Sequence, residues 1–227
     1  MITTVIFDMD DTLYDEADYC KSGFKAVADF LGKSDKKNEP EIILQAFEKQ
    51  FSSGNRTKIF NLALEGLNIA FDNELIGKLI ELYRNHIPEI TLPDESREVL
   101  EKLKNRYILA LLTDGYLPGQ KLKVQALNIE KYFKCIVYTE QLGREFWKPS
   151  PAGFEKILET LKAEPKNTVY VADNEKKDFL APNKLGIHSI QILRPNRLHI
   201  TNITNSDTAA QFVLHKISRL PSLICNL

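Results

Sequence analysis

The sequence predicts an α/β fold in which a parallel sheet, covered by helices on both faces, is interrupted early by a helical insert. Three observations predict it. Short β-rich runs alternate with amphipathic helical patterns over most of the chain. Residues 16–90 break that alternation and carry helical patterns alone. The β-rich runs end near polar or turn residues, several of them carboxylates, as expected where ligands gather beyond the carboxyl ends of parallel strands.

The first strand, "TTVIFD" at 3–8, is an apolar run that stops at Asp8 and runs into Asp10, Asp11 and Thr12. Helical periodicity follows in "GFKAVADFLG", "PEIILQAFEKQF", "TKIFNLALEGLN" and "DNELIGKLIELYRNHI", with Phe24, Ile43, Phe47, Leu79 and Leu82 at internal spacing. "KSDKKNEP" at 33–40 reads as a solvated loop between these helices. "DESREVLEKLKNR" reads as a helix capped by Asp94, with Val99, Leu100 and Leu103 on one face. "YILALLTDG" at 107–115 is a strand ending in Thr113 and Asp114, and "CIVYTE" at 135–140 is the next. "PAGFEKILETLKA" repeats the helical logic with Phe154, Ile157, Leu158 and Leu161. "TVYVADN" at 168–174 ends in Asp173, with Asp178 expected in the following helix, and "HSIQILR" at 188–194 completes the strands. Residues 194–207 read as a loop before a terminal helix around "TAAQFVLHKISRL". The expected domains are a core of residues 1–15 and 91–227 and a helical insert of residues 16–90.

With 227 residues, 43% of them hydrophobic, the chain can bury a substantial core. Its net charge of -1 gives no basic field to recommend nucleic acid or an anionic membrane, so the expected partner is a small molecule. Cys20, Cys135 and Cys225 have no CxxC spacing and read as reduced, packed thiols. There is no apolar stretch long enough to span a bilayer and no leader pattern, so a cytoplasmic location is expected.

If the strands are parallel neighbours, Asp8, Asp10, Thr113 and Asp173 converge at one edge, and carboxylates crowded together need a cation. Oxygens are the ligands on offer, while His86, His188, His199 and His215 show no paired ligand spacing. Magnesium is therefore the expected ion. Two carboxylates two residues apart suit a division of labour in which one attacks phosphorus and the other carries a proton. Lys148, in "FWKPSP", supplies positive charge, and Thr113 can donate a hydroxyl hydrogen bond to a phosphoryl oxygen. Asp11 reads as a turn residue binding backbone N–H groups. Trp147 is a candidate for stacking or packing beside Lys148, and Arg56 and Lys58 are weaker candidates for substrate contact.

Asp8-Met9-Asp10-Asp11-Thr12, Thr113, Lys148-Pro149, and Asp173 with Asp178, in that order at strand ends, resemble the four motifs of the haloacid dehalogenase superfamily. The resemblance runs along essentially the whole chain. It implies a Rossmann-like core with an α-helical cap inserted between the first and second motifs, and magnesium-dependent phosphoryl transfer through an aspartyl-phosphate. By that match Asp8 is the nucleophile, Asp10 the acid/base, Thr113 a phosphate binder and Lys148 the neutralising lysine, and Thr113, Asp114 and Lys148 are the expected substrate-binding residues. The metal would be held by Asp8, the backbone carbonyl of Asp10 and Asp173, with support from Asp178. Asp10 points to the phosphatase branch, because dehalogenase members lack this second aspartate. Two positions depart from the family pattern: Ala172 stands where glycine is usual, and Asp114 where asparagine is frequent. An extra carboxylate at Asp114 would repel a phosphate unless it turns toward a substrate hydroxyl or the cap.

The expected function is a magnesium-dependent phosphatase for a small-molecule phosphate monoester, a phosphosugar or a nucleotide. A phosphomutase shares the same motifs and stays open as an alternative, as does a catalytically silent binding protein on the same fold. The intact acidic set argues against silence, since a non-catalytic copy has no reason to bear the repulsion among Asp8, Asp10 and Asp173.

Overall fold

β1 (Thr4–Phe7) buries all four of its residues, which requires cover on both of its faces. A computed structural model describes residues 1–34, 38–200 and 207–227. After β1 come four helices: α1 (Glu16–Ser34), α2 (Pro40–Ser52), α3 (Ile59–Gly66) and α4 (Asn73–Asn85). The alternating part follows as α5 (Asp94–Lys104), β2 (Ile108–Thr113), α6 (Gly119–Ala126), β3 (Cys135–Tyr138), α7 (Ala152–Leu161), β4 (Thr168–Ala172), α8 (Leu180–Leu185) and β5 (His188–Ile192). The chain closes with β6 (Phe212–Leu214) and α9 (Leu220–Cys225).

By contacts the chain divides into two units, Met1–Ala17 with Thr91–Leu227, and Asp18–Ile90. In the first unit all strand pairs are parallel and the sheet order is β3-β2-β1-β4-β5-β6. This is the Rossmann-like α/β architecture expected from the sequence. The chain builds outward from β1 in one direction through β2 and β3, and in the other through β4, β5 and β6. The reversal leaves a crevice beyond the carboxyl end of β1, where its neighbours' connections part to opposite sides. Register decides what faces that crevice: Phe7 pairs with Leu111 and with Val171. Asp8, Thr113 and Asp173 therefore leave the sheet within about one residue of a common level.

One face of the sheet carries Ile6, Ala110, Leu112, Tyr170 and Ala172, packed against Phe154 and Ile157 of α7 and Ala181 of α8. Close approach is possible because Gly153 has no side chain; a Cβ there would lie 2.5 Å from Leu112 Cδ1. The second unit has its own core, in which the rings of Phe24, Phe47, Phe60 and Tyr83 meet mostly edge to face around buried Ile43 and Leu79. Asp72 caps α4 by accepting the Leu75 N–H at 2.8 Å.

Three local expectations are corrected. The segment "TAAQFVLHKISRL" is not a helix. Phe212, Val213 and Leu214 pair with β5 instead, because an edge strand offers unpaired backbone groups and these residues favour extended chain. The short α9 starts only near Pro221. Asp94 is the first helical residue of α5, not its cap, and its carboxylate pairs with Arg97 while Pro93 takes the cap position. Asp178 lies in the turn before α8, not in the helix. The expected loop at 194–207 includes residues 201–206, and the one at 33–40 includes residues 35–37; both segments lie outside the described residues.

Phe154 is fully buried, and its ring meets Tyr170 edge to face at 4.8 Å. Phe154→Ala should lower unfolding free energy by about 3–5 kcal/mol, through lost transfer energy and the cavity left behind. Urea denaturation followed by circular dichroism checks this.

Candidate active site

The acidic cluster and the side chains that bond to it belong to the first unit. β1 delivers Asp8 with its backbone N–H bonded to Val171 O at 2.9 Å, so the carboxylate position is set by the sheet itself. Beyond it the chain turns sharply. Asp11 adopts a left-handed backbone (φ 52), and its carboxylate accepts N–H bonds from Glu16 at 2.9 Å and Leu198 at 2.6 Å. This is the backbone-binding turn role read for Asp11 from the sequence.

Lys148 is buried and meets three partners inside the protein, donating to two of them and ion-pairing with the third. It reaches Asp8 Oδ1 at 2.7 Å, Asp178 Oδ1 at 2.8 Å and the Tyr170 hydroxyl at 2.9 Å. Tyr170 in turn donates to Asp178 Oδ1 at 3.0 Å, and the Asn174 N–H donates to Asp178 Oδ2 at 3.0 Å. Burial pushes the Asp8 carboxyl up to about 6 even against Lys148, whose charge it shares with Asp178. Burial also raises Asp178, but Lys148 and Lys177 together more than reverse that and hold it below the usual carboxylate range. The same two carboxylates, Asp178 and Asp8, outweigh desolvation at Lys148 and keep it protonated.

Asp173 has the opposite surroundings. Its Oδ2 is buried without a hydrogen-bond partner among the described residues. Burial, with the charges of Asp178, Asp8 and Asp11, pushes its carboxyl up to about 9. One ligand atom each from Asp8, Asp173 and Asp178 lies within 4.8 Å of the others. An orphaned carboxylate oxygen in a buried all-oxygen cluster is what a hard divalent cation would satisfy, so the residues present fit the ion expected from the sequence.

Asp10, two residues from Asp8, is turned into a separate cage. Its oxygens accept from Tyr14 Oη at 2.5 Å, Gln120 Nε2 at 2.9 Å, and Lys123 Nζ at 2.9 and 3.0 Å. Burial raises its carboxyl, but Lys123 and the bonds from Gln120 and Tyr14 outweigh burial and hold it low. The two carboxylates of one motif thus have opposite shifts. Gln120 Nε2 also donates to Thr113 Oγ1 at 2.9 Å and to Asp114 O. Thr113 Oγ1 acts there as an acceptor, so its own O–H is left to donate.

Asp114 turns neither outward nor toward open solvent. Its Oδ1 accepts from Thr139 Oγ1 at 2.8 Å and the Lys148 N–H at 3.4 Å, while Lys177 Nζ stands 3.6 Å from Oδ2. The carboxylate that the sequence flags as repulsive to phosphate is thereby partly neutralised. Trp147 meets Tyr116 edge to face at 5.4 Å. In the second unit, Arg56 donates to Phe51 O and Asn55 O.

The structure thus brings Asp8, Lys148, Asp173 and Asp178 together, and sets Asp10, Thr113 and Asp114 around them. Sequence reasoning missed Tyr14, Gln120, Lys123, Tyr170 and Lys177. Lys123 and Gln120 lie on α6, whose apolar periodicity is weak; Pro118-Gly119 at its start was the available signal. Lys177 stands beside Lys176 in what reads as a solvated charge run, and nothing in "TVYVA" marks Tyr170 as polar-facing.

Comparison with known proteins decides the family. A family model for haloacid dehalogenase-like hydrolases matches residues 2–186. The chain belongs to this family. It is 27% identical over 204 residues to the glyceraldehyde 3-phosphate phosphatase of Methanopyrus kandleri, covering 86% of this chain and 85% of that protein. It is 25% identical over 238 residues to the N-acylneuraminate-9-phosphatase of Mus musculus, covering 98% and 94%. In fold it resembles the 2-haloacid dehalogenase of Pseudomonas syringae pv. Tomato DC3000, with a TM-score of 0.67, 23% identity, and coverage of 100% and 99%. Among the described residues of this hydrolase, no helix is long and apolar enough to cross a membrane.

These shifts give the metal-free protein a distinctive pH response. Folded Asp8 (about 6) and Asp173 (about 9) hold protons that the unfolded chain releases near 4, so the folded state is progressively disfavoured as pH rises from about 4 to 9. Asp10 and Asp178, held low, act the other way and contribute stability that is lost below about pH 4. The thermal midpoint of chelator-treated protein should therefore peak in mildly acid solution and fall toward pH 9. Asp173→Asn should flatten the alkaline fall, as differential scanning calorimetry can show.

Proposed function

We propose that this hydrolase is a magnesium-dependent phosphatase that acts on a small-molecule phosphate monoester through an aspartyl-phosphate on Asp8. The observation that carries the reading is Asp8, bonded to Lys148 at 2.7 Å and clustered with Asp173, whose buried Oδ2 has no partner among the described residues. A buried carboxylate held by one cation and set beside a site for another is equipped to approach an anionic phosphorus centre. The two phosphatases similar over most of their length support the substrate class.

In this scheme an Asp8 oxygen bonds to phosphorus as the ester P–O bond breaks, and Asp10 gives its proton to the departing oxygen. Water then attacks phosphorus, Asp10 takes its proton, and inorganic phosphate leaves with Asp8 restored. The Lys123 cage favours the ionised form of Asp10, which is the form that the water step needs; the contact must give way for Asp10 to act as an acid. Lys148 keeps the nucleophile's charge balanced, and the free O–H of Thr113 donates to a phosphoryl oxygen. Asp8, the backbone carbonyl of Asp10, and Asp173 would hold magnesium, with Asp178 in support. Bound there, magnesium would screen Asp8 from the phosphoryl group and stabilise charge in the transition state. The helical unit, inserted in sequence between Asp10 and Thr113, is assigned the role of a cap that selects a small, diffusible leaving group.

Two variants test the roles. Asp8→Asn should form no phosphoenzyme with p-nitrophenyl phosphate. Asp10→Asn should be phosphorylated on Asp8 and then stall, and with poor leaving groups its turnover should fall roughly 10²–10⁴-fold. Mass spectrometry after acid quench reads both, and phosphate on Asp10 or Asp11 would sink the scheme.

Chelator should abolish hydrolysis of p-nitrophenyl phosphate, and added magnesium should restore it. Calcium, which prefers more ligands and a looser shell, should inhibit by drawing both Asp8 oxygens into coordination. Full turnover in excess chelator would remove the metal from the reading.

A further inference from the structure

Resting on the phosphatase reading, we infer that Lys123 is the positioning residue for Asp10: from behind, it holds the Asp10 carboxylate in the orientation that both proton transfers use. The contacts are direct. Lys123 Nζ donates to Asp10 Oδ1 at 2.9 Å and to Oδ2 at 3.0 Å, so one ammonium fixes both oxygens. Gln120, on the same face of α6 one turn earlier, adds a bond from Nε2 to Asp10 Oδ2 at 2.9 Å and reaches Thr113 Oγ1 at the same distance. Acid/base carboxylate and phosphate-binding hydroxyl are thereby held by one helix.

Exposure separates the role of Lys123 from that of Asp10. The lysine side chain is 6% exposed and the aspartate side chain 17%, so a ligand arriving from solvent meets the carboxylate and not the ammonium. The buried residues of α6 are Gly119, Gln120, Lys123 and Val124, a polar set for a helix face turned inward. A lysine is buried this deeply only when it is paired, and a buried ion pair is often no more stabilising than apolar side chains of similar volume. Packing alone therefore gives no reason for this face. Gly115 makes room for the same arrangement: at φ 138, a Cβ there would lie 2.8 Å from Gln120 Nε2 and 2.9 Å from its Cδ.

Reaching both oxygens lets Lys123 serve both steps. When one oxygen carries the proton destined for the leaving group, the ammonium gives up its bond there and keeps the other oxygen. When water is to be deprotonated, it holds both. The carboxyl group stays in place through the cycle, and placement to within about 0.5 Å is what such a group needs.

The simpler alternative is that Lys123 only fastens α6 to the sheet edge, and a double-mutant cycle separates the two. Wild type, Lys123→Met, Asp10→Asn and the double variant are compared in magnesium by rapid acid quench, with p-nitrophenyl phosphate and with an alkyl phosphate monoester, whose leaving group needs a proton. Lys123→Met should form the Asp8 phosphoenzyme from p-nitrophenyl phosphate at a rate within about threefold of wild type, since that ester makes little use of the acid. Phosphoenzyme formation from the alkyl ester, and hydrolysis of the phosphoenzyme, should each slow roughly 10–100-fold, the scale of a misplaced catalytic group. In the Asp10→Asn background the same substitution should add less than about threefold. Lys123→Gln, which keeps one donor, carries the same comparison if Lys123→Met does not fold. Equal slowing of phosphoenzyme formation from both esters, a loss of undiminished size in the Asp10→Asn background, or wild-type rates throughout would overturn the inference and leave the phosphatase reading standing. Wild-type protein that hydrolyses neither ester and forms no phosphoenzyme would overturn both.

Discussion

The ammonium of Lys148 spans Asp8 and Asp178, and much of the first unit is arranged to keep it there. Burying two carboxylates and an ammonium costs several kcal/mol per ion before any attraction is counted, so such a group persists only when its geometry is good and its remaining donors are satisfied. β1 and β4 fix Asp8 through the sheet, Tyr170 supplies a second acceptor for Lys148, and Asn174 holds Asp178 through its backbone N–H. Phe154 and Phe179 pack against the Tyr170 ring, so the hydrophobic core reaches the charged centre through one side chain. Packing on that sheet face and electrostatics at its edge form one connected arrangement.

Around this centre the charge is divided unequally. Asp10 has its own lysine and stays ionised, while Asp173 has no cation within hydrogen-bond reach among the described residues and is driven toward its neutral form. Pushing neighbouring carboxyls apart in this way is how a single site obtains groups with different acid–base work. It also leaves Asp173 with the one buried carboxylate oxygen of this cluster unsatisfied among the described residues, an arrangement compatible with a bound cation. Asp114, the departure from the family pattern, belongs to the same balance: it adds a negative charge, and Lys177 stands opposite it.

How much of this was legible in the chain depends on how local each signal is. Asp8, Thr113 and Asp173 each end a β-rich run, and strand ends are written in sequence by apolar stretches that stop at polar residues. The helical insert was legible for the same reason, as sustained 3.6-residue periodicity without strands between. β6 was misread because "FVL" has no period long enough to distinguish helix from strand, and the exposed edge of β5 decided it. α6 went unread because its apolar positions are few, and with it Gln120 and Lys123 escaped notice.

The sequence by itself determined the class of fold, most of its elements and the polar residues that end its strands, because each is set by residues near one another in the chain. Tertiary structure alone decided which charge meets which. Asp8 lies 140 positions from Lys148, and Asp10 lies 113 from Lys123. Whether a buried carboxylate is paired, shared or left for a cation depends on side chains that only the folded sheet brings within 3 Å, and no local pattern encodes that distance.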